Sequence, residues 1–323
     1  EGEGEGEGEG VDELVVVSYN VLFPHFHGEV LDTPRRTQAM CALLRAQNAD
    51  VIALQEVTPP FLHALLAKPW VREHYTATAS PDDHRTVSPD GQLLLTKLEV
   101  NGATTYGFNR SKKVILFDLF YRQKYQRSQR SRSLGGSNAR LTSGGACRRL
   151  LVPSLHLTSD YRAEAGSTKV TERRLQLHTL LREYRRLEAQ GIVNPLSDPL
   201  KDPLSGSSIP TDMLIVGDLN AASEYEDEQY ELPTGFIDAW RVCHANVVES
   251  RAYTYDPANN PLAMLNSPPG KIARGKRCDR IMVCSTGWEP TGMWLLGYKP
   301  MLPPSEIKIK QSNNLWASGG GGG

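Results

Sequence analysis

"DMLIVGDLN", residues 212–220, is the stretch on which the reading of this chain turns. Met213 to Val216 form a short apolar run of the kind expected for a buried strand. Asp218 and Asn220 follow at once, polar groups set where such a strand leaves the core. In α/β sheets the C-terminal tips of strands are where functional side chains collect, because a rigid support carries them out of the apolar interior. The pattern recurs outward along the chain. "LVVVSYNVL" (14–22) reads as a buried strand with Asn20 near its end. "ADVIALQEV" (49–57) presents Glu56 in the same way, and "RLLVPSLHLTS" (149–159) presents His156.

Helical segments lie between these strands. Thr33 and Pro34 open a helix running to about Gln47, with an N-cap followed by Pro at the first helical position. Pro59 starts a short helix. Residues 169–190 make a longer one, with Leu177, Leu180, Leu181, Tyr184 and Leu187 near one face. "GQLLLTK" (91–97), "VILFDLFY" (114–121), "CDRIMV" (278–283) and "MWLLG" (293–297) are further expected strands, and a short helix is expected near Trp240. The alternation continues without an internal repeat, which predicts one α/β domain over residues 13–318.

The chain has 323 residues, 39% of them apolar, enough for a sizeable core. Residues 1–10 alternate Glu with Gly, and 319–323 are all Gly. An acidic head (1–12) and a glycine tail (319–323) are therefore expected to be disordered, since neither buries enough apolar surface to offset its ordering entropy. Glu1 in place of Met suggests an excerpt or a processed product. The net charge of −1 conceals a segregation: without the five Glu of the head, 36 basic residues face 32 acidic ones, a balance of +4. Residues 122–149 hold eight Arg or Lys and no acid, and lack any helical or strand period. This flexible insert has two readings, a segment that tracks a nucleic-acid backbone and a solvated low-complexity loop. A second loop insert, 191–211, is rich in Pro, Ser and Gly.

Five cysteines, with no Cys-x-x-Cys pair, argue against a zinc knuckle and against a secreted disulfide framework. No apolar run approaches the ~18 residues of a membrane span, and no signal-peptide pattern is seen. Nucleus or cytoplasm is the expected location, with no membrane partner.

The polar groups at the strand tips suit phosphoryl transfer, which needs a cation on the phosphate oxygens, a group that handles water, and neutral donors. Glu56 can hold Mg²⁺ through a hard carboxylate oxygen, and Asn20 can add an amide oxygen without further charge. Asp218 can orient or deprotonate water, while Asn220 and His156 can donate to phosphoryl oxygens. Singly these residues carry little weight: a Gly-Asp-x-Asn stretch can be an ordinary Asx turn, and a lone His after a strand is often structural. Together, in this order, they carry more.

"SYNVLF", "IALQEV", "LHLTS", "VGDLN" and "CDRIMV" resemble the successive motifs of the endonuclease/exonuclease/phosphatase (DNase I-like) superfamily, over roughly residues 14–318. "LQEVTPPF", "ELPTGFIDAW", "YTYDPANNPL" and "WLLGYKPM" are similar to stretches of its 5′-tyrosyl-DNA phosphodiesterase group, with relatives in RNA processing. The resemblance implies a four-layer sandwich, two packed mixed β-sheets flanked by helices, with one Mg²⁺ or Mn²⁺ site at an edge. It implies Asn20 and Glu56 as metal ligands and Asp218 and Asn220 as handlers of water and phosphate. His156 and Ser159 would line the phosphate pocket, Asp279 would orient a catalytic histidine, and Tyr255 would pack against substrate. For Tyr255 the alternative is a buried aromatic after a turn.

Two departures stand out. After Gly-Asp-x-Asn the tyrosyl-DNA enzymes carry a basic residue, whereas this chain reads "AASEYEDE" (221–228). And where Ser-Asp-His is expected near the C-terminus, "LWAS" runs into glycines, and no histidine follows His244. A truncated chain lacking the catalytic His and the last strand is the expectation. The expected function is a divalent-metal phosphodiesterase acting as a monomer on DNA or RNA, in DNA repair or RNA processing. The alternatives are an inactive nucleic-acid binder of the same fold and an inositol-phosphate phosphatase.

Overall fold

The computed structural model describes residues 13–24, 31–108, 112–122, 147–160, 169–189, 211–220, 235–264 and 274–298. Two mixed sheets lie face to face. The first contains β1 (Val16–Asn20), β2 (Val51–Val57), β3 (Thr76–Ala77) and β4 (Gly91–Thr96), in the order β1-β2-β4-β3. Its β1 and β2 run parallel and the other pairs antiparallel. The second contains β5 (Glu99–Gly107), β6 (Lys113–Arg122), β7 (Cys147–His156), β8 (Thr211–Asp218), β9 (Ile237–Asp238) and β10 (Asp279–Cys284). The order is β5-β6-β7-β8-β10-β9, with β7 and β8 parallel and the rest antiparallel.

The continuous apolar runs follow from burial on both faces. Along β2, Val51 and Ala53 point between the sheets, while Ile52 and Leu54 point to the outer helices. Along β8, Leu214 and Val216 face inward, and Met213 and Ile215 face the opposite layer. Phe117, Leu119, Leu150 and Val152 complete the seam between the sheets. The first sheet is covered by α1 (Thr33–Gln47), which buries Met40, Cys41 and Leu44, and by α2 (Pro59–Leu66), which buries Phe61, Leu62 and Leu65. The second is covered by α4 (Val170–Ala189), through Leu177 and Leu180. The result is the expected four-layer helix–sheet–sheet–helix sandwich. Short helices α3 (Pro69–His74), α5 (Ala239–Cys243) and α6 (Pro261–Met264) fill the connections.

Several local expectations change. The cap of α1 is Asp32, whose Oδ1 accepts from Arg35 N at 3.3 Å, not Thr33. "MWLLG" is not a strand: Leu296 packs on the outer core of the first sheet and Met293 on the seam, and the Met293 carbonyl lies 2.6 Å from His244 Nε2. The segment docks by its side chains rather than by a backbone ladder. β5 is an addition to the expected strands, because it is largely exposed and lacks an apolar alternation; it is held by its antiparallel pairing with β6. The basic insert is shorter than its 122–149 reading, since Arg122 ends β6 and Cys147–Arg149 begin β7. Likewise Thr211 belongs to β8, not to the second insert. The head 1–12, insert residues 123–146 and 191–210, the last residue of the expected long helix (190), the acidic run 221–228 and the chain after 298 lie outside the described residues.

Arg148 and Arg149 point into the protein rather than to a nucleic acid. Arg148 forms a two-pronged pair with Asp212, both bonds 2.8 Å, and Arg149 pairs with Asp118 at 2.6 Å through two bonds. Tyr121 and Ser285 add hydroxyl donors to Asp212, each at 2.6 Å, and Trp288 Nε1 donates to the Tyr121 oxygen.

Gly217 shows why the strand tip needs glycine. Its φ is 135°, and a Cβ there would sit 2.0 Å from the Leu155 carbonyl oxygen of neighbouring β7. The two strands approach too closely for a side chain. Gly217→Ala is expected to cost about 1–3 kcal/mol of stability. Urea unfolding checks this, and an unchanged midpoint would contradict it.

Candidate active site

Parallel pairing brings the tips together. Asn20 ends β1 beside β2, and His156 and Asp218 are register partners at the ends of β7 and β8. Asp279, the first residue of antiparallel β10, faces Asp218 in the register. All therefore emerge at one edge of the sandwich.

The side chains meet there. Asn20 Nδ2 donates to Glu56 Oε1 at 2.8 Å and to Asp218 Oδ2 at 3.1 Å, which joins one sheet to the other. His156 Nε2 lies 3.8 Å from Glu56 Oε1 and 3.9 Å from Asp218 Oδ2. The second oxygens are tied to backbone: Glu56 Oε2 accepts from Phe23 N at 2.7 Å, and Asp218 Oδ1 from Asn220 N at 2.8 Å. Asn220 Nδ2 donates to the Leu157 carbonyl at 2.9 Å.

Local backbone geometry aims these groups. The β2–β4 register shifts between Leu54 and Val57, and Glu56 sits inside that bulge with φ 59°. A bulge turns one side chain out of the strand's alternation, here towards the edge. Leu22 and Asn220 also have positive φ, 56° and 49°. Three left-handed non-glycine residues at one edge hold backbone strain where the side chains converge.

The electrostatics follow from crowding acidic groups at a partly dry edge. Burial, with Asp218 and Glu56 nearby, pushes the Asp279 carboxyl up to about 8. Asp279 Oδ1 is shielded from solvent and has no hydrogen-bond partner among the described residues. Burial also raises Asp218, against the opposing pull of its Asn20 and Asn220 bonds and of Lys112. His156 falls to about 4, through burial and then the Lys112 charge, and is neutral near pH 7.

This donor set fits a hard divalent cation. Two carboxylate oxygens from different sheets converge on one electropositive point, now the Asn20 amide hydrogens, and burial and the neighbouring negative charge raise a third carboxyl close by. Among the described residues no group of three or more His, Cys, Asp or Glu side chains is placed to hold a metal ion. A hard divalent cation can be held by one or two carboxylates without a full protein cage.

Ser159, three residues beyond β7, is half-buried. Tyr255 is also half-buried, its backbone bridged to Lys276 and its hydroxyl donating to the Ala263 carbonyl at 3.1 Å. Sequence reasoning missed Lys112 and Thr254. Lys112 lies close enough to feel Asp218 and Glu56, while burial draws its ammonium below the usual range. Thr254 Oγ1 accepts from the Cys278 and Asp279 amides, both at 3.1 Å, and so fixes the start of β10. Neither carries a signal in sequence: Lys112 looks like its neighbour Lys113, and Thr254 is simply next to Tyr255.

The two packed sheets thus gather acidic and amide groups at one edge. A sequence model described as the Endonuclease/Exonuclease/phosphatase family matches residues 17–300, and the chain belongs to that family. Comparison with curated protein sequences gave no match. Among solved structures, TDP2 of Caenorhabditis elegans, in truncated form, is 17% identical with a TM-score of 0.53 and 84% of each chain covered. D. rerio TDP2 humanized by 14 mutations is 18% identical with a TM-score of 0.56, covering 88% of this chain and 90% of that one. D. rerio TDP2 complexed with single strand DNA product is 18% identical, TM-score 0.53, with 84% of each covered. Among the described residues no helix is long and apolar enough to cross a membrane.

Proposed function

We propose that this chain is a Mg²⁺- or Mn²⁺-dependent phosphodiesterase acting on single-stranded nucleic acid. The observation that carries the reading is the Asn20 amide bridging Glu56 and Asp218 across the two sheets, with His156 over the same two carboxylates. The DNA product bound to the D. rerio TDP2 neighbour supports a nucleic-acid substrate.

In this reading Glu56 would hold the cation, and Asn20 would add its Oδ1 once its amide turns from the two carboxylates. That oxygen now accepts from Leu22 N at 2.9 Å. The cation when bound neutralises charge on the phosphate oxygens. Asp218 orients the attacking water and accepts its proton, and burial lifts its carboxyl towards the working pH, as a general base requires. Asn220 commits one amide hydrogen to Leu157 and keeps the other for a phosphoryl oxygen. Neutral His156 donates a hydrogen bond without adding charge. Ser159 lines the phosphate pocket with His156, Tyr255 packs against substrate, and Asp279 is the group that would orient a catalytic histidine.

The test offers purified protein 5′-tyrosyl single-stranded DNA, single-stranded RNA and an inositol phosphate, with Mg²⁺, Mn²⁺ or EDTA. Release from a nucleic-acid substrate, abolished by EDTA, is expected. Release from inositol phosphate alone would overturn the substrate class. Binding of single strands with no release in either metal would replace the enzyme by a nucleic-acid binder of the same fold.

A further inference from the structure

Thr158 sits two residues beyond His156, in the loop that leaves β7, and its N–H, hydroxyl and carbonyl are all engaged by side chains of α4. The N–H donates to Gln176 Oε1 at 3.1 Å. The hydroxyl accepts from Gln176 Nε2 and donates to Glu172 Oε1, both at 2.9 Å. The carbonyl accepts from Arg173 Nη1 at 3.0 Å, and the same nitrogen reaches Asp160 Oδ1 at 2.9 Å. The Arg173 side chain is wholly buried. A fully buried guanidinium is costly unless its bonds are satisfied, so the helix face and the loop are locked as a unit.

These bonds do more than start a helix. The Lys169 N–H donates to Asp160 Oδ1 at 2.8 Å, whereas Glu172, Arg173 and Gln176 all reach outward to loop atoms. The adjacent Leu157 donates its N–H to the Asp218 carbonyl at 2.9 Å, and its own carbonyl accepts Asn220 Nδ2 at 2.9 Å. The direction of the Leu157 carbonyl therefore decides which way the Asn220 amide faces, and Gln176 Oε1, its amide oriented by the Thr158 hydroxyl, holds the N–H of the same peptide unit.

We propose that Thr158, clamped by Glu172, Arg173 and Gln176, is a positioning residue that sets the orientation of the Asn220 amide through the Leu157 carbonyl. Its effect on turnover rests on the phosphodiesterase reading above; its effect on Asn220 does not. Thr158→Val keeps the side-chain volume and removes both hydroxyl bonds, Gln176→Leu removes the partner, and Thr158→Ser keeps the hydroxyl.

Two readouts on the full chain test the proposal. In ¹H–¹⁵N spectra the Asn220 side-chain amide pair, assigned by its loss in Asn220→Ala, is expected to shift in Thr158→Val and Gln176→Leu and to return in Thr158→Ser. In the release assay, Thr158→Val is expected to lower kcat about 10–100-fold, the loss typical of an outer partner of a site, with little change in KM. Thr158→Ser is expected to restore it. Asn220 resonances that stay in place in both disruptive variants overturn the proposal, whatever the rates. A wild-type chain with no turnover sinks the phosphodiesterase reading instead, and the amide shifts still decide the positioning role.

Discussion

Asp218→Asn and Glu56→Gln are each expected to slow metal-dependent diester hydrolysis by about 10²–10⁴-fold while leaving the protein folded. Both substitutions keep side-chain size. The first removes the proton acceptor, and the second removes the charge that balances a cation. Folding should survive because these carboxylates crowd one another: Asp279 nearby is already pushed up to about 8, chiefly by burial and then by Asp218 and Glu56. Removing one charge relieves that repulsion, so an unchanged or slightly raised unfolding midpoint should accompany the lost rate. Titration of Mn²⁺ against each variant, followed by calorimetry, is expected to show weaker binding in Glu56→Gln. Full activity in either variant would remove that group from the reaction.

The largest expected stability change lies elsewhere. Asp212→Ala is expected to destabilise the fold by about 3–5 kcal/mol, because it leaves the buried Arg148 guanidinium uncompensated. It also strands the hydroxyls of Tyr121 and Ser285, which donate to Asp212. Adding Arg148→Met should recover part of the loss, since the unpaired charge goes too, but not the part that comes from the stranded hydroxyls. The urea midpoints of the single and double variants separate the two effects. A loss under about 1 kcal/mol in Asp212→Ala would show that water reaches the pair.

The same carboxylate gives a pH dependence of known sign. Burial raises Asp212, but bonds from Arg148, Ser285 and Tyr121 together outweigh it, so the folded carboxyl lies below its ordinary value. Its contribution is therefore complete above the unfolded carboxylate range of about 4 and is lost as the pH falls through the lower folded value. Asp212→Asn should flatten the acid limb of the stability profile.

Much of this is legible in sequence. The buried strands announce themselves because β2 and β8 are covered on both faces and so read as unbroken apolar runs. The tip residues Asn20, Glu56, His156 and Asp218 can be picked out because a polar group at the end of such a run must leave the core. β5 gives no such sign, since an exposed edge strand carries no apolar period and is defined by its partner. The charged start of β7 misleads for a related reason. Arg148 and Arg149 belong to a basic stretch, and only Asp212 and Asp118, 64 and 31 residues away in the chain, show that they are buried.

What the chain determined alone was therefore the alternation of buried strands and helices in one α/β domain and the residue types at the strand ends, because burial pattern and backbone freedom are local properties of sequence. What the tertiary structure decided was the convergence. The Asn20 bridge spans residues 198 positions apart, the bulge turns Glu56 towards it, and Lys112 and Thr254 join the edge without any local signature. Distances between groups on different sheets depend on how the sheets pack, and no stretch of sequence contains that information.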